Sequence, residues 1–357
     1  MSAFDPRRNS VGFLRVLFAA LVIVSHAFPL GGFGTDPGRS SNNLGIFAVE
    51  GFFALSGFLI TRSATRVTTG RYLWHRVVRI FPAYLVSLLA VAFIFGPIVW
   101  KFTHGLASYF QANPGPVGYV TNNFTLQLGQ FYIGDSLASN PYPSLWNGPL
   151  YTLYYEFACY VLIAALAATR LLSGKVAAVL AIGCWISVQL WQFGDVWVIP
   201  DDRQAKFTLC FLVGSCLYFA QDRLLTKSIV LPLIAFAVFA ASYGFGIGFT
   251  EVGLPAFAYL CIWVGAVLPF RGVGRRRDLS YGMYLYGWPV LQTLSFFGVN
   301  KVGYVPYLAI TLVLTVGIAF LSWTLIESRA LRLKNKPRPA FLQPRSVLAS
   351  PRAEEPT

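Results

Sequence analysis

The sequence predicts an all-α polytopic membrane protein of about ten transmembrane helices, with both termini on the cytoplasmic side. Three observations carry that prediction. Apolar and aromatic residues supply 56% of the 357 positions and charged residues only 12%, where a soluble domain carries about 25% charged. The mean hydropathy is +0.59, so too little polar surface exists to face water, and the 16% of aromatic residues excludes a disordered chain. Finally, the basic residues fall on alternate loops.

A helix needs about 20 apolar residues to cross a bilayer. Ten stretches meet that measure: 11–30, 45–62, 81–100, 147–168, 174–192, 205–221, 228–247, 252–270, 279–298 and 305–327. The first lacks a small-residue cleavage pattern and is expected to stay as a span. After the second comes TGRYLWHRVVRI, Thr69 to Ile80, too short and too charged to cross. Tyr72, Leu73, Val77 and Ile80 alternate there with Arg71, Arg76 and Arg79, the pattern of an amphipathic helix on the inner leaflet, whose simplest role is anchoring to lipid head groups. The connection from Lys101 to Trp146 is rich in Gly, Pro and Asn, and a loop of this length is functional or disordered. Residues 1–334 read as one transmembrane domain without internal repeat. Residues 335–357, rich in Pro, Arg and Ser, read as a disordered cytoplasmic tail.

The formal net charge is +14, from 28 Lys and Arg against 14 Asp and Glu. With the N-terminus inside, only Arg39, Lys101, Arg203, Lys206 and Lys301 fall on outer loops, and Arg15 lies within the first span. All other Lys and Arg lie inside, so orientation in a membrane explains the basic excess without nucleic acid. Cys159, Cys184, Cys210, Cys216 and Cys261 sit in apolar stretches without a CxxC pair and read as free buried thiols. Three scattered histidines, of which His75 and His104 read as surface residues, offer no metal-ligand spacing.

Charge inside hydrocarbon costs several kcal/mol, so ionisable residues there point to function. Arg15 and His26 lie eleven residues apart in LRVLFAALVIVSH. At about 100° per residue they share one helix face, about 16 Å apart along the axis. Singly, Arg15 would snorkel to the inner head groups and His26 would be a hydrogen-bonded structural histidine. Together they suggest a polar path. Glu50 enters the second span at about the depth of His26, where it is expected to orient the imidazole. Glu156 lies mid-span with no basic neighbour in sequence, and Glu327 ends the last span among arginines, as in a structural salt bridge.

These residues resemble the integral-membrane acyltransferase-3 family, bacterial enzymes that O-acetylate surface polysaccharides and related glycans, over nearly all of residues 9 to 333. Arg15 and His26 match its R-x10-H pattern, and GFFALSGFLITR, with Arg62 at its end, matches FF-x-LSGFL. RVVRIFPAY matches R-x-x-R-I-x-P-x-Y at Arg76, Arg79, Pro82 and Tyr84, and LYTLYYEFACY is similar at Thr152, Leu153, Glu156 and Tyr160. LSYGMYLYGWP and WTLIES resemble two further segments. Tyr151 replaces a usual Trp, Gly287 stands where many members have His, and Ser328 where Pro is common. The chain resembles the stand-alone form, without an SGNH hydrolase-like domain.

The resemblance implies a multi-pass enzyme of the bacterial cytoplasmic membrane. It would transfer an acyl group, acetyl as the expected case, from cytoplasmic acyl-CoA to a hydroxyl of an exopolysaccharide, a lipopolysaccharide O-antigen or a related glycan. The acyl-CoA is then a substrate, and no cofactor is expected to stay bound. Arg62, Arg66, Arg76 and Arg79 suit recognition of the CoA phosphates. His26 would act as general base or transient acyl carrier, Arg15 would stabilise an oxyanion or hold the CoA end, and Glu156 would orient the acceptor or supply a second acid–base group. A secondary transporter or flippase of a lipid-linked glycan also fits ten spans with midplane charges, but calls for inverted repeats that the sequence does not display. A structural scaffold would not need His26.

Overall fold

The computed structural model describes residues 4–39, 42–143, 145–193, 202–246 and 248–335. Ten long helices run through them: α1 Val11–Gly31, α2 Leu44–Ala64, α3 Thr69–Thr103, α4 Tyr151–Ala168, α5 Gly174–Phe193, α6 Asp202–Phe219, α7 Val230–Phe245, α8 Phe249–Val267, α9 Ser280–Phe296 and α10 Tyr304–Arg332. Each overlaps one of the stretches read from the sequence. By length and composition α1, α2, α3, α4, α8 and α10 can each cross a membrane, and α5 and α7 contain shorter apolar helices. The strands among the described residues are one two-residue pair, Gly38–Arg39 with Asn42–Asn43, so the protein is an all-α polytopic membrane protein. The expected tail lies outside the described residues but for its first position.

Contacts fix the relative directions of the helices. Phe53 stacks on Phe207, Gly57 abuts Phe211, and Thr61 hydrogen-bonds Ser215 at 2.8 Å, so α2 and α6 run parallel. Arg15 meets Asp278, Ile23 meets Gly287, and the Leu30 carbonyl accepts from Ser295 at 2.6 Å, so α1 and α9 also run parallel. A chain that crosses alternately makes both of these pairs parallel. The α2–α6 approach depends on glycine: a Cβ on Gly57 would collide with the Phe211 carbonyl, and one on Gly214 with that of Ala54. Without a hydrophobic force between helices in lipid, such close backbone packing is what holds them together.

The amphipathic stretch and the third span, expected as separate elements, form one 35-residue helix. Pro82 removes a backbone donor but does not end it. Tyr72, Ile80 and Tyr84 are buried on either side of the proline, so tertiary packing holds the axis through it.

The long loop is folded. It contains helical turns at Leu106–Gln111 and Pro116–Thr121, and Asn123 organises its centre by accepting from the amides of Gly129 and Gln130. It then docks on α9. Pro289 lacks the amide that would bind the Leu285 carbonyl, and Asn147 Nδ2 donates to that carbonyl instead, at 2.8 Å. Gln292 Nε2 donates to the carbonyls of Tyr142 and Leu145, while Asn140 Nδ2 donates to the Gln292 carbonyl. The loop thereby becomes a fixed roof over the ends of α1, α2, α4 and α9.

Thermal unfolding in detergent tests the glycine contact. Gly57→Leu should destabilise by about 1–3 kcal/mol through overpacking. Gly183→Leu faces open space on α5 and should leave the midpoint nearly unchanged. Equal midpoints for the two variants would remove the α2–α6 contact from this account.

Candidate active site

At the arginine-rich end three helices meet on one carboxylate. Asp278, just before α9, accepts on Oδ2 from Arg15 Nη1 of α1 at 2.8 Å and from Arg79 Nη2 of α3 at 2.6 Å. Its Oδ1 accepts from the amide and hydroxyl of Ser280, so the same side chain also holds the first residue of α9. Burial opposes its charge, but Arg15, Arg79 and Ser280 together hold the carboxyl down to about 2. Arg79 also faces Glu327 at 3.7 Å. Glu327 ends a widened i→i+5 turn over Trp323–Glu327 in α10 and is buried, in keeping with the structural salt bridge expected of it.

At the opposite end lies a cavity of about 980 Å3, roofed by the long loop between Asn122 and Pro149 and walled by α1, α2, α4, α6 and α9. His26 faces it from α1. Its Nδ1 lies 3.3 Å from Asp36 Oδ1, and its ring packs edge-on against Trp288, with 4.8 Å between centroids. Asp36 also accepts from Ser25 Oγ at 2.6 Å, and Ser25 Oγ accepts from the Gly45 amide, tying the α1–α2 loop to both helices. Burial pushes the Asp36 carboxyl up, but the hydrogen bond and charge of His26 and the Ser25 hydroxyl bring it below its ordinary value. An ionised Asp36 at this position favours the tautomer that carries its proton on Nδ1 and leaves Nε2 free to accept. Tyr142, Tyr151, Tyr154, Tyr155 and Trp288 give the cavity an aromatic wall, and Asn43, Asn122, Gln127 and Arg203 give it polar groups.

Between the two ends lies Glu156 on α4. Its Oε1 accepts from Ser56 Oγ of α2 at 2.8 Å and from the Tyr160 hydroxyl one turn along α4. The Tyr160 ring in turn faces the Arg76 guanidinium of α3 at 5.8 Å. One turn the other way, Thr152 lines the cavity and shares a hydrogen bond with Tyr284.

The structure therefore brings Arg15 and His26 onto the face of α1 that meets α9, as their spacing predicts, one at Asp278 and the other at Trp288. It corrects the orienting carboxylate. The group on His26 is Asp36, from the following loop, whereas Glu50 is buried on α2 with Cys210 and Cys261 in its field. The four expected phosphate-binding arginines divide. Arg79 is held by Asp278 and Glu327, and Arg76 lies between the rings of Tyr72 and Tyr160. Arg62 is half-buried and Arg66 exposed at the foot of α2, and no described ion pair joins them to the network. The five thiols are free, four of them buried and Cys216 partly so. His75, expected at the surface, is half-buried. Gly287 packs against Ile23, so a histidine there would clash with α1 as it is placed. Asp36 and Asp278 escaped the sequence reading. One signal was available: Asp278 stands two residues before Ser280 at a helix start.

A family described as an acyltransferase domain matches residues 8–324. An O-acetyl transferase of Shigella phage Sf6 is 28% identical over 341 residues, covering 91% of this chain and 96% of the relative. Nodulation protein 10 of Rhizobium leguminosarum bv. viciae is 28% identical over 362 residues, covering 92% and 94%. No solved structure matches the chain.

The depressed Asp278 carboxyl sets a pH dependence. Its contribution to stability is complete above the ordinary value of 3.8 and is lost as pH falls through about 2. It amounts to about 2 kcal/mol. Asp278→Asn should lower the unfolding midpoint at pH 7, and the gap to wild type should close between about pH 4 and pH 2. A gap that stays constant on acidification would show that Asp278 is not the titrating clamp.

Proposed function

The chain belongs to the acyltransferase-3 family, and from that premise we propose that it moves an acetyl group from cytoplasmic acyl-CoA to a hydroxyl of a saccharide. The acceptor class is an exopolysaccharide, a lipopolysaccharide O-antigen or a related glycan, and the location is the bacterial inner membrane. The observation that carries this reading is the His26–Asp36 pair opening on a large aromatic-walled cavity. Aromatic faces and side-chain amides suit a sugar, which presents apolar C–H faces and a rim of hydroxyls. The relative named an O-acetyl transferase supports acetyl as the group and oxygen as its destination.

In direct transfer, His26 Nε2 takes the proton of the acceptor hydroxyl as its oxygen attacks the thioester carbonyl. The C–S bond breaks, the thiolate of CoA leaves, and the imidazolium returns the proton to it. Asp36 stays ionised throughout and stabilises the imidazolium. In the two-step alternative Nε2 itself attacks the thioester carbonyl, the C–S bond breaks and the thiolate of CoA leaves; the acceptor hydroxyl then attacks the acyl-imidazolium, the C–N bond breaks to restore neutral His26, and the hydroxyl proton passes to the thiolate. Both routes need the neutral tautomer that Asp36 favours.

The position of Arg15 supports the second of its two expected roles, holding the CoA end. Bound to Asp278, about 16 Å from His26 along α1, it is too far to meet an oxyanion at His26 and belongs to the donor end. Glu156 lies between the two ends, held by Ser56 and Tyr160, which supports a place for it beside the path proposed for the pantetheine arm.

Acyl-CoA-dependent acetylation of glycan in isolated membranes tests this. His26→Ala should lower turnover by about 10²-fold or more, with expression unchanged. Asp36→Asn keeps the shape but favours the wrong tautomer, so it should also lower turnover while leaving the KM for acyl-CoA in place. Full acetylation by a well-expressed His26→Ala protein would refute the assignment.

A further inference from the structure

Four cations gather at the arginine-rich end, and only two of them meet a carboxylate. Arg15 and Arg79 are matched by Asp278 and Glu327. Arg76 and Lys334 have no ion pair among the described residues. Arg76 lies between the rings of Tyr72 and Tyr160, and its Nε is buried without a hydrogen-bond partner.

Lys334 comes from the far end of the chain. After α10 the backbone turns through Leu333–Asn335 and packs on α3. Trp74 Nε1 donates to the Leu333 carbonyl at 3.2 Å, and the His75 ring lies beside the backbone of Lys334. This anchorage places the Lys334 ammonium in the field of Arg76, Arg79 and Arg15. Burial first, and then those like charges, push it down to about 8. A chain that brings a lysine into a half-buried cluster of arginines raises its own electrostatic energy, and an anion seated among them would lower it.

We propose that Lys334 and Arg76 form an anion-binding site that receives a phosphate group of acyl-CoA, an assignment that rests on the donor proposed above. It narrows the expected four-arginine set, because Arg79 is engaged by Asp278 and Glu327 while a lysine from beyond the last span takes its place. The site lies beside the Tyr160–Glu156 link, so a donor held there by its phosphate would direct its pantetheine arm along the route to the cavity.

The test is binding of CoA itself to the full chain in phosphatidylcholine nanodiscs, with and without phosphatidylglycerol. Lys334→Gln should weaken CoA binding about tenfold, as expected for loss of one charged contact. Lys334→Arg keeps the charge and should stay close to wild type. If wild type binds CoA and Lys334→Gln binds it equally well, the lysine is not part of the donor site, although the donor reading stands. If the Gln variant instead loses only a thermal stabilisation conferred by phosphatidylglycerol, the occupant is a lipid head group and the proposal falls. If wild type binds no CoA in either nanodisc, the donor reading itself fails. Should the Gln variant not fold, Lys334→Met carries the same comparison.

Discussion

Asp278 holds two arginines from two different helices while bonding the first residue of a third. The rest of the architecture depends on that constraint. Guanidinium groups at the edge of hydrocarbon must find counter-charges, and removing one partner from a buried pair leaves a charge that costs about 3–5 kcal/mol. The shared carboxylate therefore fixes α1, α3 and the start of α9 together. With α1 pinned at Arg15 and packed on α9 through Ile23 and Gly287, the far end of α1 has no freedom to rotate. His26 is thereby directed against Trp288 and into the cavity.

This arrangement gives a membrane enzyme two ends with different chemistry. One end is cationic and tied to α3 and α10, which suits a phosphate-bearing donor. The other is aromatic and amide-lined, roofed by a loop whose contacts to α9 use a carbonyl freed by Pro289. On the proposed reading, the acyl group is the one part of the donor that must reach the His26 end. In the proposed reaction, separating the two substrates in this way would let a cytoplasmic thioester meet a glycan hydroxyl without either substrate crossing the membrane whole.

Much of this was legible in the sequence, and the reasons are physical. Apolar length and basic asymmetry marked ten helices, because a bilayer imposes both. The eleven-residue spacing placed Arg15 and His26 on one face, because helical periodicity is local. What escaped depended on loops and on distant segments. Asp36 is ten residues beyond His26, but only the fold of the α1–α2 loop turns it back onto the imidazole, and Glu50 stood at a more suggestive depth. Asp278 was obscured within a run of arginines, where a lone acid reads as a solvated charge. The division of labour between Arg76 and Arg79 follows from which carboxylates other helices deliver, and periodicity carries no such information. The amphipathic stretch merged with the third span because buried packing on both sides of Pro82 overrode the break that composition suggested.

The central claim is that acyl groups enter at the cationic end and leave at the His26 end, on opposite faces of the membrane. Everted membrane vesicles given radiolabelled acetyl-CoA from outside test it most directly. The account predicts label on lumenal glycan, released by an impermeant glycoside hydrolase only after the vesicles are opened. Label on glycan that the hydrolase reaches in sealed vesicles would place donor and acceptor on the same face and contradict the account.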